Sequence, residues 1–104
     1  VASQNIHCKG VTGSKAGPNQ LDSLHVASIV VPNMCTEYNV YGFEWNEKEY
    51  IFYINGEPVS RTSFGNGVSE VDEEVILSME VPDKVGFEIG DIREFVIDYI
   101  RIYQ

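Results

Sequence analysis

Basic residues are scarce in this 104-residue sequence. Lys and Arg together number 7 against 16 Asp and Glu, which gives a formal net charge of −9. Because phosphate groups are bound mainly by Lys and Arg, so acidic a surface argues against nucleic acid and anionic membranes as partners. An uncharged ligand such as a neutral glycan is compatible with it, although acidity alone does not indicate one.

Long apolar runs are also missing. The most apolar stretch, Val26 to Val31, has the length of a β-strand and falls far short of the roughly 18 residues that suggest a membrane helix. The sequence shows neither a signal peptide nor an initiator Met, and Val1 opens directly into strand-like residues. We therefore expect a processed, excised or truncated chain, with removal of a signal peptide or tag as an equal alternative.

Cysteines are too few to form a disulfide framework. Cys8 and Cys35 are the only two, and no CxxC pair or His/Cys cluster with zinc-binding spacing occurs. Free thiols are slightly favoured. One disulfide in an oxidising compartment stays open, because the sequence does not give the Cβ separation that decides it.

The residues that are abundant predict β-strands. With 43% hydrophobic and 12% aromatic residues, a packed core is expected. No window shows a sustained 3.6-residue apolar period, whereas short β-branched and aromatic segments recur between polar or Gly-containing breaks. These segments predict six or seven antiparallel strands in one all-β unit, a β-sandwich or jelly roll. The predicted strands are Ser3–Cys8, one within Leu24–Val31, Tyr38–Trp45, Tyr50–Ile54, Pro58–Thr62, Val75–Val81 and Phe95–Tyr103.

The strongest local pattern is a tight hairpin. Asn55 and Gly56 both tolerate a positive φ angle, and they separate Tyr50–Ile54 from Pro58–Thr62. These two segments are therefore predicted to pair directly across a two-residue turn.

Three segments, taken in order, resemble glycoside hydrolase family 16, which includes laminarinase- and lichenase-like β-glucanases. Tyr38–Gly56, YNVYGFEWNEKEYIFYING, has an aromatic residue, two positions and a Tyr before an acidic–Trp pair, then a short turn and an aromatic strand ending in Asn-Gly. Val75–Val81, VILSMEV, resembles the family's cleft-lining strand, and Val96–Tyr103, VIDYIRIY, resembles its closing strand. With SQNIHCKG at Ser3–Gly10, the resemblance covers nearly the whole chain.

The resemblance implies a concanavalin A-like jelly roll of two curved sheets, with a glycan groove on the concave face. Such a groove cleaves β-linked glycans with retention, which needs two carboxyl groups about 5–5.5 Å apart. Family members carry both on a Glu-x-Asp-x-(x)-Glu strand that lies just before the segment matched by Val1–Gly10. Residues 1–104 are thus expected to form the C-terminal half of such a domain, without the catalytic strand.

Several functional expectations follow from this resemblance. The chain is expected to be part of a secreted, retaining β-glycanase that hydrolyses β-1,3- or mixed-linkage glucans, and to need a complementary N-terminal half or a second chain for catalysis. Alone it is expected to be inactive, and to associate, since a half-sandwich leaves an open sheet edge and an uncovered apolar face. The alternatives are a non-catalytic, lectin-like glycan-binding module and a purely structural β-sandwich. Which polysaccharide is bound stays open.

One acidic stretch imitates the catalytic motif. Glu70-Val71-Asp72-Glu73-Glu74 would place Glu70, Asp72 and Glu74 on one face if it formed a strand. Its intervening Glu73 would then be buried without a partner, where an apolar residue is expected. A polar loop leading to the strand Val75–Val81 is the favoured interpretation.

The resemblance also assigns substrate-binding positions on the groove-facing strands. Asn5 and His7 alternate out of one face of their strand, and both side chains can exchange hydrogen bonds with vicinal sugar hydroxyls. Ser78 and Glu80 share a face with Ile76. The predicted substrate-binding residues are Asn5, His7, Ser78, Glu80 and Trp45.

Each of these positions has a structural alternative. A lone His is more often simply exposed or satisfied in a core, and Glu80 can equally be a solvated carboxylate at a strand edge or part of an ion pair. Trp45, the single Trp, is more readily explained by packing in the core than by stacking on a sugar ring.

Asp98 is the predicted metal-binding residue. It lies inside an otherwise apolar segment and therefore needs a partner. The resemblance implies a structural calcium ion, to which this carboxylate would contribute one of six to eight oxygen ligands. An ion pair or a backbone hydrogen bond is an equally good explanation, and no other cofactor is expected.

Overall fold

The computed structural model describes residues 1–7, 23–64, 67–78 and 94–104. The chain divides into two compact units, Val1–Val71 and Asp72–Gln104. The described residues form antiparallel β-structure in the first unit and contain no helix. A helix long and apolar enough to cross a membrane is accordingly absent from the part that the structure describes.

The first two strands form an antiparallel ribbon. β1 (Ala2–His7) pairs with β2 (Ser23–Ile29), from Ala2 opposite Ile29 to His7 opposite Ser23. The register shifts between Gln4 and Asn5, so that one residue of β2 has no partner in β1. Both strands agree with the sequence prediction to within two residues, except that Cys8 lies outside the described residues.

The next three strands form a meander in the order β3–β4–β5. β3 (Tyr41–Trp45), β4 (Tyr50–Ile54) and β5 (Glu57–Thr62) are antiparallel, and β4 lies in the centre. The prediction for β4 is confirmed at both ends. β3 begins three residues later than predicted, because Val40 is already engaged by the turn that follows β4.

The predicted hairpin turn is confirmed by its backbone angles. Asn55 has φ of 53° and Gly56 has φ of 85°, as a two-residue hairpin with positive φ at both positions requires. The Asn55 side chain also accepts a hydrogen bond from the Val40 backbone N–H at 2.8 Å and donates one to Asn39 Oδ1 at 2.9 Å. The turn thereby ties the segment before β3 to the end of β4.

The core of the described residues is small and centres on β4. Tyr50, Ile51 and Ile54 are buried there, together with Val31 and Phe64. Residues on both faces of the central strand are covered, whereas the aromatic residues of the edge strand β3 remain half-exposed. Burial on both faces of β4 is what a sheet packed between other layers would show.

The two C-terminal strand predictions are wrong for the residues that the structure describes. Residues 75–78 of the predicted strand Val75–Val81 and residues 95–103 of the predicted strand Phe95–Tyr103 have no strand structure. A β-strand is defined by hydrogen bonds to a neighbouring strand, and no described residue supplies a ladder to either segment. Their apolar side chains are consequently exposed, for example Ile76 at 74% and Ile102 at 66%.

Candidate functional site

A row of hydrogen-bonded side chains crosses the exposed face of the β1–β2 ribbon. His25 Nδ1 lies 2.9 Å from Asn5 Oδ1, and His25 Nε2 lies 3.1 Å from Ser28 Oγ. Ser28 Oγ in turn lies 3.2 Å from Ser3 Oγ. We call these four residues, Ser3, Asn5, His25 and Ser28, the polar row.

The shift in register between the strands brings the polar row together. Gln4 pairs with Ala27 and Asn5 pairs with His25, so that Val26 is the extra residue of a β-bulge. In a regular strand, residues three apart point to opposite faces. The bulge reverses this alternation once, and His25 and Ser28 are both brought into the row as a result.

The face assignment made for β1 is confirmed by burial. Ser3, Asn5 and His7 are exposed, whereas Gln4 is 8% exposed and Ile6 is partly buried on the opposite face. The side chain of His7 is exposed and makes no hydrogen bond with the residues that the structure describes. Asn5 and His7 therefore stand on one open face, as the sequence predicted.

Trp45 lies on a different sheet and is neither fully buried nor fully open. It is 37% exposed, its ring centroid is 6.3 Å from that of Tyr50, and its Nε1–H donates to the Ser69 carbonyl oxygen at 3.0 Å. The Ser69 backbone N–H donates to the Tyr50 hydroxyl at 2.6 Å. Phe43, Trp45 and Tyr50 form what we call the aromatic face of this sheet. The segment around Ser69 thus holds the indole at the edge of this face rather than in the core.

Phe43 continues this aromatic face along β3. Its ring stacks on Tyr50 at 5.7 Å with an interplanar angle of 16°, and packs on Phe52 at 5.0 Å. Phe43 nevertheless remains 56% exposed. The face combines large apolar rings with open surface, a composition that suits stacking on a sugar ring as well as packing under another layer.

The remaining predicted site residues, Ser78, Glu80 and Asp98, belong to the second compact unit. Ser78 lies in the unit Asp72–Gln104 and is exposed, while Glu80 lies outside the described residues. Asp98 is also exposed, and the residues around it have no strand structure, so it does not lie in the apolar strand that was predicted. Within the described residues, no three His, Cys, Asp or Glu side chains are grouped to hold a metal ion. Calcium at Asp98 stays a prediction.

A second polar cluster lies on the opposite face of β3. Glu44 accepts hydrogen bonds from Asn46 Nδ2 and from the Tyr53 hydroxyl, both at 2.9 Å. These bonds, first that of Asn46 and then that of Tyr53, hold the pKa of Glu44 below its usual value, and the same carboxylate raises the pKa of Tyr53. Arg61 and Glu49 form an exposed ion pair at 3.4 Å nearby.

Comparison with known protein families matches residues 2–78 to Glycosyl hydrolases family 16. The chain belongs to this family. Comparisons with curated proteins and with solved structures found no match. The match includes the five strands that the structure describes and the polar row, and the antiparallel all-β structure of these residues is consistent with part of a family 16 jelly roll.

The carboxylates of this family 16 chain do not form a catalytic pair in the part that the structure describes. Among the described strands, only β3 and β5 carry a carboxylate, Glu44 and Glu57 respectively. The motif-like stretch Glu70–Glu74 is exposed and has no strand structure, which confirms its interpretation as a loop. Glu44 is also a poor candidate for a general acid, because that role needs a raised pKa and its pKa is lowered.

Sequence reasoning missed His25 altogether. Its β-branched and apolar neighbours identified β2 as a strand, but alternation alone could not reveal the bulge that pairs His25 with Asn5. Cys35 is a free and exposed cysteine, and Cys8 lies outside the described residues.

Proposed function

We propose that this family 16 chain supplies groove-lining strands of a secreted, retaining β-glycanase that acts on β-1,3- or mixed-linkage glucans. The observation that carries the proposal is the exposed row of hydroxyl, amide and imidazole side chains on β1 and β2, within the segment that matches the family. Asn5 and His7 are the residues that would meet the sugar hydroxyls. Groups that can donate and accept hydrogen bonds suit a neutral glycan.

In this proposal, catalysis depends on a complementary N-terminal half or a second chain. Retaining hydrolysis needs two carboxyl groups about 5–5.5 Å apart, and no described strand carries two carboxylates. The nucleophile and the acid/base would come from a Glu-x-Asp-x-(x)-Glu strand of that complement. Trp45, Ser78 and Glu80 would contribute further substrate contacts, and Asp98 a ligand to a structural calcium ion.

A complementation assay tests this function. Hydrolysis of laminarin and of mixed-linkage glucan is measured with the chain alone and after mixing with an N-terminal segment of a family 16 glucanase that includes the catalytic strand. We expect no reducing ends from either component alone and measurable release from the mixture. Glucan hydrolysis by the 104 residues alone would refute the proposal that the catalytic carboxylates come from the complement.

The alternative function is a lectin-like module that binds glycan without cleaving it. It is favoured by the lack of paired carboxylates on the described strands. In the same assay, a lectin would bind glucan oligosaccharides but would stay inactive with every complement. If Asn5→Ala and His7→Ala left such binding unchanged, a purely structural role for the β1–β2 ribbon would be indicated instead.

A further inference from the structure

The direction of the hydrogen bonds in the polar row can be deduced from the chemistry of its members. The Asn5 oxygen only accepts, so His25 Nδ1, 2.9 Å away, must carry the hydrogen. With the imidazole neutral, Nε2 then accepts from the Ser28 hydroxyl at 3.1 Å. Since Ser28 has a single hydroxyl hydrogen, Ser3 is the donor in the bond between the two hydroxyls.

This assignment fixes the orientation of the Asn5 carboxamide. Its oxygen is held towards His25, so its Nδ2 group, with two N–H donors, points away from the imidazole. No described residue accepts a hydrogen bond from Asn5 Nδ2. Because Nδ1 carries a hydrogen in the neutral and in the charged imidazole alike, the orientation does not depend on the protonation state of His25.

We propose that His25 is a positioning residue, which holds Asn5 so that Nδ2 donates to a hydroxyl or ring oxygen of an uncharged glycan. The inference rests on the proposed function and deepens it, since it names the polar row as a binding site for an uncharged glycan. Ser28 supports the arrangement by occupying His25 Nε2. The row presents an amide donor and hydroxyls to a ligand. It contains no Arg or Lys, and therefore no guanidinium or ammonium group that would bind a sulfate or carboxylate.

Preorganisation is the physical benefit of this arrangement. A free Asn side chain rotates its amide and can present either the oxygen or the nitrogen to a ligand, and ordering it on binding costs free energy. In the polar row that ordering is already achieved before the sugar arrives. His25 touches Asn5 rather than the ligand in this account, so its effect on affinity passes through Asn5.

Binding of a β-1,3-linked glucan oligosaccharide to the whole chain, measured by calorimetry, tests the proposal through variants of two residues. His25→Ala should weaken binding about tenfold, the order of one oriented hydrogen bond. His25→Gln should restore most of the affinity, because its amide can donate to Asn5 and accept from Ser28. Asn5→Asp keeps the acceptor for His25 but turns an oxygen towards the ligand, so binding should fall at least as far as in His25→Ala.

Two further measurements separate positioning from a merely structural role. NMR relaxation of the Asn5 side-chain amide should show increased mobility in His25→Ala and wild-type mobility in His25→Gln. A sulfated galactan oligosaccharide should bind more weakly than the neutral glucan. Lys48→Ala, in the exposed turn between β3 and β4, is the control and should leave both the affinity and the Asn5 signal unchanged.

The outcomes distinguish this inference from the function on which it rests. If the wild-type chain bound no neutral glycan, the proposed function would fail and the inference with it. If the wild-type chain bound and His25→Ala bound equally well, or if the Asn5 amide kept its order in that variant, only the role of His25 would be refuted. Preference for the sulfated ligand would refute the assignment to an uncharged glycan.

Discussion

At the scale of single residues, the Glu44–Tyr53 bond couples two titrations on the exposed face of β3 and β4. Tyr53 can reach across because it pairs with Gly42, where an added Cβ would lie only 3.1 Å from the Tyr53 Cβ. The absence of a side chain at Gly42 leaves room for the Tyr53 ring, and its hydroxyl then meets Glu44 at 2.9 Å. Each group stabilises one protonation state of the other.

The first prediction concerns these titrations. Tyr53→Phe should raise the pKa of Glu44 towards its ordinary value of 4.5, but only in part, because Asn46 remains the larger cause of the lowering. Glu44→Gln should likewise lower the pKa of Tyr53 towards 10.0. Carboxyl carbon shifts in NMR and the ultraviolet absorbance of tyrosinate measure the two values. An unchanged Glu44 titration in Tyr53→Phe would contradict the assigned bond.

The sign of the effect on stability follows by linkage. The folded-state pKa of Glu44 is lowered, so its contribution to the free energy of unfolding is present above pH 4.5 and is lost as the pH falls through the lowered pKa. The pKa of Tyr53 is raised, so its contribution is present below pH 10.0 and is lost as the pH rises through the raised pKa. Tyr53→Phe should flatten the curve of stability against pH at both ends.

At the scale of elements, the β4–β5 hairpin depends on backbone conformations that few residues adopt. Gly56 has φ of 85°, and a Cβ added there would meet nothing within 4 Å. A substitution at Gly56 therefore meets backbone strain and no steric contact. Any loss of stability on substituting Gly56 can therefore be attributed to backbone strain alone, which makes this turn suitable for a quantitative test.

The second prediction is that Gly56→Ala destabilises the chain by about 1–2 kcal/mol, the cost of a left-handed conformation for an L-residue. Gly56→Asn should cost less, since Asn tolerates positive φ better. Urea unfolding followed by the fluorescence of Trp45, the single Trp, gives the free energies. Glu57→Ala, at the exposed neighbouring position, is the control and should stay close to wild type. Equal stability of Gly56→Ala and wild type would argue against the observed turn.

Local patterns explain why some elements were predictable and others were not. β4 and its turn are specified by an aromatic, β-branched run followed by Asn-Gly, and the prediction matched the structure at both ends of β4. The segments 75–78 and 95–103 are likewise rich in apolar, β-branched residues but lack a described partner strand, and composition does not reveal whether a partner exists. The site was predictable in part for the same reason. Alternation placed Asn5 and His7 on one face, whereas His25 joined them through a bulge.

At the scale of the whole molecule, the two compact units differ in the solvent exposure of their apolar side chains. In Val1–Val71, the central strand buries Tyr50, Ile51 and Ile54. In Asp72–Gln104, the described apolar side chains are exposed by between 43% and 84%. They are Val75, Ile76, Leu77, Phe95, Val96, Ile97, Tyr99, Ile100, Ile102 and Tyr103. Soluble monomers seldom expose so continuous an apolar sequence without a partner.

The third prediction is therefore that the isolated chain self-associates in solution, despite the repulsion that a net charge of −9 provides. Sedimentation velocity should show a species larger than the monomer whose share grows with concentration. Burial of an Ile side chain contributes about 1.5–3 kcal/mol, so Ile102→Lys should weaken association by roughly tenfold or more. Gln104→Lys introduces the same charge at a neighbouring polar position and should change association far less. A monodisperse monomer that unfolds cooperatively would refute this prediction, because the apolar residues of the second unit would then be tolerated in water without any partner.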